Sequence, residues 1–129
     1  HHFALMTDPE QVKQLSGQFD FIINTISAKH EYSTYLNLLA LNGVMICVGA
    51  PPVPSAVPAF NLIMGRRSIA GSLIGGIRET QEMLDYCAEH NITSDVEVID
   101  IKDINTAYER MLRGDVKYRF VIDIASLNR

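Results

Sequence analysis

The stretch Gly43–Pro52, GVMICVGAPP, constrains this chain more than any other. Val44, Met45, Ile46, Cys47 and Val48 form an unbroken apolar run, opened by Gly43 and closed by Gly49, Ala50, Pro51 and Pro52. A short continuous apolar run between turn residues reads as a strand covered on both faces. Strands of that kind belong to parallel sheets flanked by helices. The small residues fall at the carboxyl end, where open α/β sheets hold their ligands. Two companion runs, Phe19–Ile26 before it and Ser68–Gly76 after it, also end in small or hydroxylated residues. Three strands with matching tips predict one ligand crevice.

The intervening segments read as helices and loops. Asp8-Pro9 starts a short helix striped by Val12 and Leu15. Tyr32–Leu41 carries an apolar face and ends at Asn42-Gly43. Pro51–Pro58 holds four prolines in eight residues and is expected to be an extended loop over the crevice mouth. Phe60–Met64 is a short helical segment seeded by Pro58. Glu79–His90 is amphipathic, with Thr80, Met83, Leu84 and Cys87 on its inner side. Val96–Ile101 reads as a strand, followed by a helix that Asp103 caps and whose Ile104, Ala107, Tyr108, Met111 and Leu112 share a face. Gly114 stops that helix, Tyr118–Ile124 is the last strand, and the tail Ala125–Arg129 is expected to fray.

Composition narrows the function classes. The chain has 129 residues, a formal net charge of -4 and a pI of about 5.5, so no electrostatic footprint for nucleic acid is present. That length suffices for one domain burying roughly two thirds of its unfolded surface. No apolar stretch approaches the ~18 residues of a membrane span, and the start lacks the basic-then-apolar pattern of a signal peptide. Cys47 and Cys87 form neither a C-x-x-C pair nor a zinc spacing. They are expected to be free thiols in a reducing cytoplasm.

Five segments in order, FDFIINTISA, VGAPP, NLIMGRRSIAGSLIGG, ETQEMLDYCAEH and AYERMLRGDVKYRFVID, resemble the carboxyl-terminal part of the zinc-containing medium-chain alcohol dehydrogenases. Within that family the likeness is to the cinnamyl-alcohol-dehydrogenase type, which reduces aldehydes with NADPH. It covers nearly the whole chain, from Phe19 to Asp123. The resemblance implies an α/β fold: strands four to six of a Rossmann parallel sheet, plus a final piece of the family's catalytic domain. Residues 1–92 are then a partial dinucleotide-binding domain and residues 93–129 a catalytic-domain segment. The family's zinc ligands, its four-cysteine lobe and its G-x-G-x-x-G turn have no counterpart here. Gly71–Gly76 is not that turn, because it does not open a helix after a first strand. The chain is therefore expected to be a fragment, inactive by itself, with zinc belonging to the complete parent only and with no catalytic or metal-binding residue of its own.

The resemblance also assigns cofactor contacts. In the family a zinc ion acts as a Lewis acid on the alcohol oxygen while a hydride passes to the nicotinamide. Thr25, Ile26 and Ser27, then Val48, Gly49 and Ala50, then Ser72, Leu73 and Ile74, match the backbone that brackets the ring. Gly49 would let that backbone come close. Arg119 matches an arginine on the cofactor diphosphate, which suits a guanidinium. Read without the resemblance, Thr25, Ser27 and Ser72 are plain turn or packing residues and Arg119 a surface arginine. Lys117, Arg66 and Arg67 read as solvated charges, Asp20, Asp100 and Asp123 as strand-end polar residues, and His30, which follows the first strand tip, as either facing the crevice or, more often for a lone histidine, a surface residue.

The implied partners are NADP, weakly held or not held by this piece alone, and a small alcohol or aldehyde, with a homodimer formed through the Ser68–Gly76 edge strand. Two other readings stand beside this one: a non-catalytic α/β oligomerisation or interaction module, and a zinc-free quinone reductase of the same superfamily.

Overall fold

The structure is a computed structural model that describes residues 1–128. Its contacts fall into two units, one spanning His1–Ile74 and a second beginning at Gly75.

The first unit is built on three parallel strands in the order β1-β2-β3: β1 is Phe19–Asn24, β2 Leu39–Cys47 and β3 Ser68–Gly71. The apolar GVMIC run lies in the middle strand. Helix α1 (Pro9–Gln14) precedes β1, and the Asp8 carboxylate accepts the Glu10 and Gln11 amides at its start. Helix α2 (Tyr32–Leu38) joins β1 to β2, and α3 (Ala59–Ile63) follows the proline loop. Leu36, Leu39 and Met45 are fully buried, and Ile22, Tyr32, Tyr35, Cys47, Leu62 and Ile69 pack around them.

Several expected boundaries move, each for a local reason. Helix α2 ends three residues early because Leu39 is already extended (φ −68°, ψ 137°) and starts β2. Phe19 pairs with Leu39 but Phe21 with Val44, so the extra β2 residues bulge out. Asn42 occupies that bulge at φ 64° and donates its amide to Gly65 O at 2.8 Å. Strand β3 stops at Gly71, and residues 72–76 leave the sheet. Arg67, expected to be a solvated charge, is half-buried and donates to Asn61 O at 3.3 Å.

Among the described residues, one face of the three-stranded sheet is covered by helices and the other is not. The rows Ile22–Met45–Ile69 and Asn24–Cys47–Gly71 face the helices; the rows Phe21–Val44–Ser68 and Ile23–Ile46–Ala70 face away. Phe21 is 69 % and Ile23 67 % exposed, so the expected double burial does not hold for β1.

In the second unit α4 (Ile77–Glu89) is followed by β4 (Glu97–Asp100), α5 (Ile104–Leu112) and β5 (Phe120–Asp123), with β4 and β5 paired in parallel. Helix α4 starts where Glu79 accepts the Gly76 amide at 2.9 Å. Its Met83 and Leu84 are about half exposed. Asp103 stands at the start of α5, but its side chain makes no cap bond there, contrary to expectation. Arg110 grips Glu97 with both terminal nitrogens, holds Asp115 through Nε at 2.9 Å, and lies 4.9 Å over the Phe120 ring. The tail does not fray through residue 128: Ile124–Asn128 is a 3-10 turn, pinned by buried Ser126. The Ser126 hydroxyl accepts the Ile101 amide at 2.8 Å and donates to Asp123 O.

The accessible surface is 10304 Å². Two separate compact globules of these sizes would expose about 8,200 Å² in all. Exposed apolar side chains such as Phe21, Ile23, Met83 and Leu84 contribute to that surface.

Candidate functional site

Asn24, Cys47 and Gly71 form the last paired row of the first sheet. Because the strands are parallel, the segments leaving that row emerge side by side at one edge. The structure thus brings together nine of the ten residues singled out from sequence: Thr25–Ser27 after β1, Val48–Ala50 after β2 and Ser72–Ile74 after β3. Thr25, Ser27, Val48, Ala50, Ser72, Leu73 and Ile74 are exposed there, and Ile26 and Gly49 half-buried.

The first two tips are locked to each other. Asn24 O accepts both the Val48 and the Gly49 amides, each at 3.0 Å. A Cβ on Gly49 would come within 2.5 Å of Ile26 O and 2.7 Å of Thr25 C. Only glycine permits that approach. The third tip is tied in through Ser72, whose amide donates to Cys47 O at 3.2 Å.

Beneath the tips lies a polar cluster that the sequence reading left aside. Asn24 is 5 % exposed, and its Oδ1 accepts the Ile26 amide at 3.1 Å. That bond turns the chain out of the strand, which is why β1 ends at Asn24 and not at Ile26. Its Nδ2 meets His30 Nε2 at 2.9 Å, while His30 Nδ1 lies 2.8 Å from Ala28 O. A carbonyl only accepts, so Nδ1 carries the proton and Nε2 receives the Asn24 amide hydrogen. The imidazole packs 5.0 Å from the Tyr32 ring and edge-on to Tyr35 at 5.6 Å. The Cys47 thiol donates to Tyr32 Oη at 3.9 Å. Burial, then the Cys47 contact, raises the Tyr32 phenol above its ordinary pKa of 10.0, with Ser55 pulling the other way. His30, expected to be a surface residue, is a half-buried member of this cluster. An asparagine closing an apolar strand was the one available signal.

Arg119 belongs to the second unit. Its carbonyl accepts the Glu97 amide at 2.9 Å, and with Ile99, Tyr108, Met111 and Ile122 it lines a cavity of about 350 Å³ beside α5. The strand tips do not form that cavity. Among the described residues no three His, Cys, Asp or Glu side chains come together as a metal site. No helix among them is long and apolar enough to cross a membrane.

The zinc-binding dehydrogenase family model matches residues 3–89, and the chain belongs to that family. An NADP-dependent alcohol dehydrogenase C from Mycobacterium bovis is 55% identical over 120 residues, which are 93% of this chain and 35% of that protein. A cinnamyl alcohol dehydrogenase from Sorghum bicolor superposes with a TM-score of 0.89 at 42% identity, over 95% of this chain and 35% of that one. The Helicobacter pylori enzyme solved with NADP(H) superposes at 0.75 and 44% identity, over 88% and 34%. The α/β architecture with parallel sheets is that of the carboxyl-terminal part of medium-chain alcohol dehydrogenases. The chain spans about a third of the length of the relatives it matches.

Proposed function

We propose that this chain is the cofactor-cradling part of an NADP-dependent zinc alcohol dehydrogenase that interconverts a primary alcohol and an aldehyde. One observation carries the reading: three exposed strand tips leave a single row, Asn24–Cys47–Gly71, at the carboxyl edge of a parallel sheet. The names of the Mycobacterium bovis and Helicobacter pylori relatives support NADP as the dinucleotide. When bound, the nicotinamide accepts or delivers the hydride.

This chain's part is to hold the ring. Thr25, Ile26, Ser27, Val48, Gly49, Ala50, Ser72, Leu73 and Ile74 line the ring with main chain: the Ile26, Val48, Gly49 and Ser72 amides are already donated within the protein, so their carbonyls and the main-chain groups of the other tip residues meet the carboxamide, and Leu73 and Ile74 offer apolar cover. Arg119 is assigned to the diphosphate. Residues 1–92 form part of the dinucleotide domain, which the family match over residues 3–89 supports, and residues 93–129 belong to the catalytic domain. We place the enzyme in the cytoplasm, a reducing compartment with which the free Cys47 and Cys87 of this chain agree.

The isolated chain is not competent. A micromolar dinucleotide site is worth about −8 kcal/mol. Losing roughly three charge-assisted phosphate hydrogen bonds at ~1.5–3 kcal/mol each leaves millimolar binding or weaker. NADPH fluorescence titrated against the full-length protein and against this chain alone tests both statements. We expect saturation in the first and none at micromolar concentrations in the second. A full-length protein that binds no nicotinamide dinucleotide overturns the reading.

The open edges favour association as well. β1 and β3 are both outer strands, and unpaired edges pair readily. We infer a homodimer through β3, to be measured by light scattering on the full-length protein. A module that dimerises but binds no dinucleotide would fit the interaction reading instead.

A further inference from the structure

Asn24 grips two of the three tips. Its side-chain oxygen holds the Ile26 amide, and its main-chain oxygen holds the Val48 and Gly49 amides. The remaining freedom of its carboxamide is removed by His30, whose Nε2 takes the Nδ2 hydrogen. His30 is fixed in turn by Ala28 O and by the Tyr32 and Tyr35 rings. The bonds in the chain Ala28–His30–Asn24–Ile26 fix one another's direction, and flipping the Asn24 carboxamide would break both its bond to His30 and its bond to the Ile26 amide.

We propose that Asn24 and His30 are positioning residues, which fix the separation of the Thr25–Ser27 and Val48–Gly49 backbones before any ligand arrives, so that the nicotinamide half of the dinucleotide meets a preformed cleft. The inference rests on the reading of those tips as the nicotinamide site. Neither side chain touches the ring; both act through backbone. Backbone fixed beforehand loses no ordering entropy on binding, so the benefit falls on the nicotinamide half of the cofactor alone.

The test uses the full-length protein and two probes, NADPH and its nicotinamide-free analogue, adenosine 2′-phosphate 5′-diphosphoribose. His30→Leu keeps bulk but removes both ring nitrogens. His30→Gln restores an amide oxygen that can accept from Asn24 Nδ2. We expect His30→Leu to weaken NADPH about tenfold, leaving the analogue within about twofold, and His30→Gln to recover most of the loss. Equal weakening of both probes by His30→Leu, or no weakening of either, overturns the positioning role. An unmutated protein that holds NADPH no tighter than the analogue overturns the nicotinamide-site reading itself.

A second measurement needs no variant. In the unmutated, cofactor-free protein, hydrogen exchange at Ile26, Val48 and Gly49 should be at least about a hundredfold slower than in an open chain. Exchange at the open-chain rate at Ile26 would mean that no preformed tip exists, and the proposal would fail.

Discussion

A Cβ on Gly49 would stand 2.5 Å from the carbonyl oxygen of Ile26, closer than any side-chain carbon can rest. The two tips are thus in backbone contact across the end of the sheet. Gly49→Ala must push them apart while Asn24 O still holds the Val48 and Gly49 amides. Overpacking of this kind costs about 1–3 kcal/mol. We expect NADPH affinity of the full-length protein to fall about tenfold or more, because the separation of the tips changes directly. Fluorescence titration beside a urea melt reads both effects; an alanine that altered neither would show that the contact is unimportant.

The packed centre of the first unit is small. Leu36, Leu39 and Met45 are its only fully buried large side chains among the described residues. Leu36 projects from α2 onto β2, so Leu36→Ala opens a cavity between the helix and the central strand. Such truncations cost about 2–5 kcal/mol. A whole domain is stable by only about 5–15 kcal/mol. We expect a large drop in the urea midpoint, with the tips losing order as the strand loosens. A shift no larger than that of an exposed control such as Phe60→Ala would contradict this account of the core.

The central strand, its two parallel neighbours and the alignment of their tips were legible in the sequence, because an apolar run between Gly43 and Gly49 has few other uses. Strand ends were not. β1 stops at Asn24 because a side chain captures the Ile26 amide, and α2 gives way at Leu39 because β2 recruits it. The first is a local asparagine turn and the second a pairing with Phe19 across the sheet, and apolar periodicity encodes neither. The helical stripes Met83–Leu84 and Tyr108–Met111 were readable as apolar, but not as uncovered. Burial is a property of what lies opposite, and hydrophobicity alone does not supply it. Arg119 was paired with the tips through resemblance alone; the structure describes it within the second unit by itself.

Acid should loosen the second unit by a defined route. The Arg110 guanidinium, hydrogen-bonded to Glu97, holds that carboxyl below its ordinary value of 4.5. The lowered value means the folded state prefers the carboxylate. Its contribution is therefore complete above the unfolded value and is lost as pH falls through the folded one. Glu97→Gln removes the charge at every pH. We expect the variant to melt below the unmutated protein at neutral pH, with the two curves converging below about pH 4. Both groups are substantially solvated, so added salt should narrow the neutral-pH gap. A gap that grew towards acid pH would have the wrong sign and would rule the mechanism out.

Ser126 closes the second unit through one hydroxyl. It is 6 % exposed, accepts the Ile101 amide at 2.8 Å and donates to Asp123 O, joining the ends of β4 and β5. Ser126→Ala leaves the Ile101 amide without its acceptor in a place water reaches poorly. A buried group left without its partner costs about 1–3 kcal/mol. The substitution removes one oxygen and introduces no strain, so the effect should be local: faster hydrogen exchange at Ile101, with little change at Met45. Ser126→Thr keeps the hydroxyl and should restore most of the protection at Ile101 where its extra methyl fits. If Ser126→Ala left exchange at Ile101 unchanged, the turn at Ile124–Asn128 would owe its order to something other than this hydroxyl.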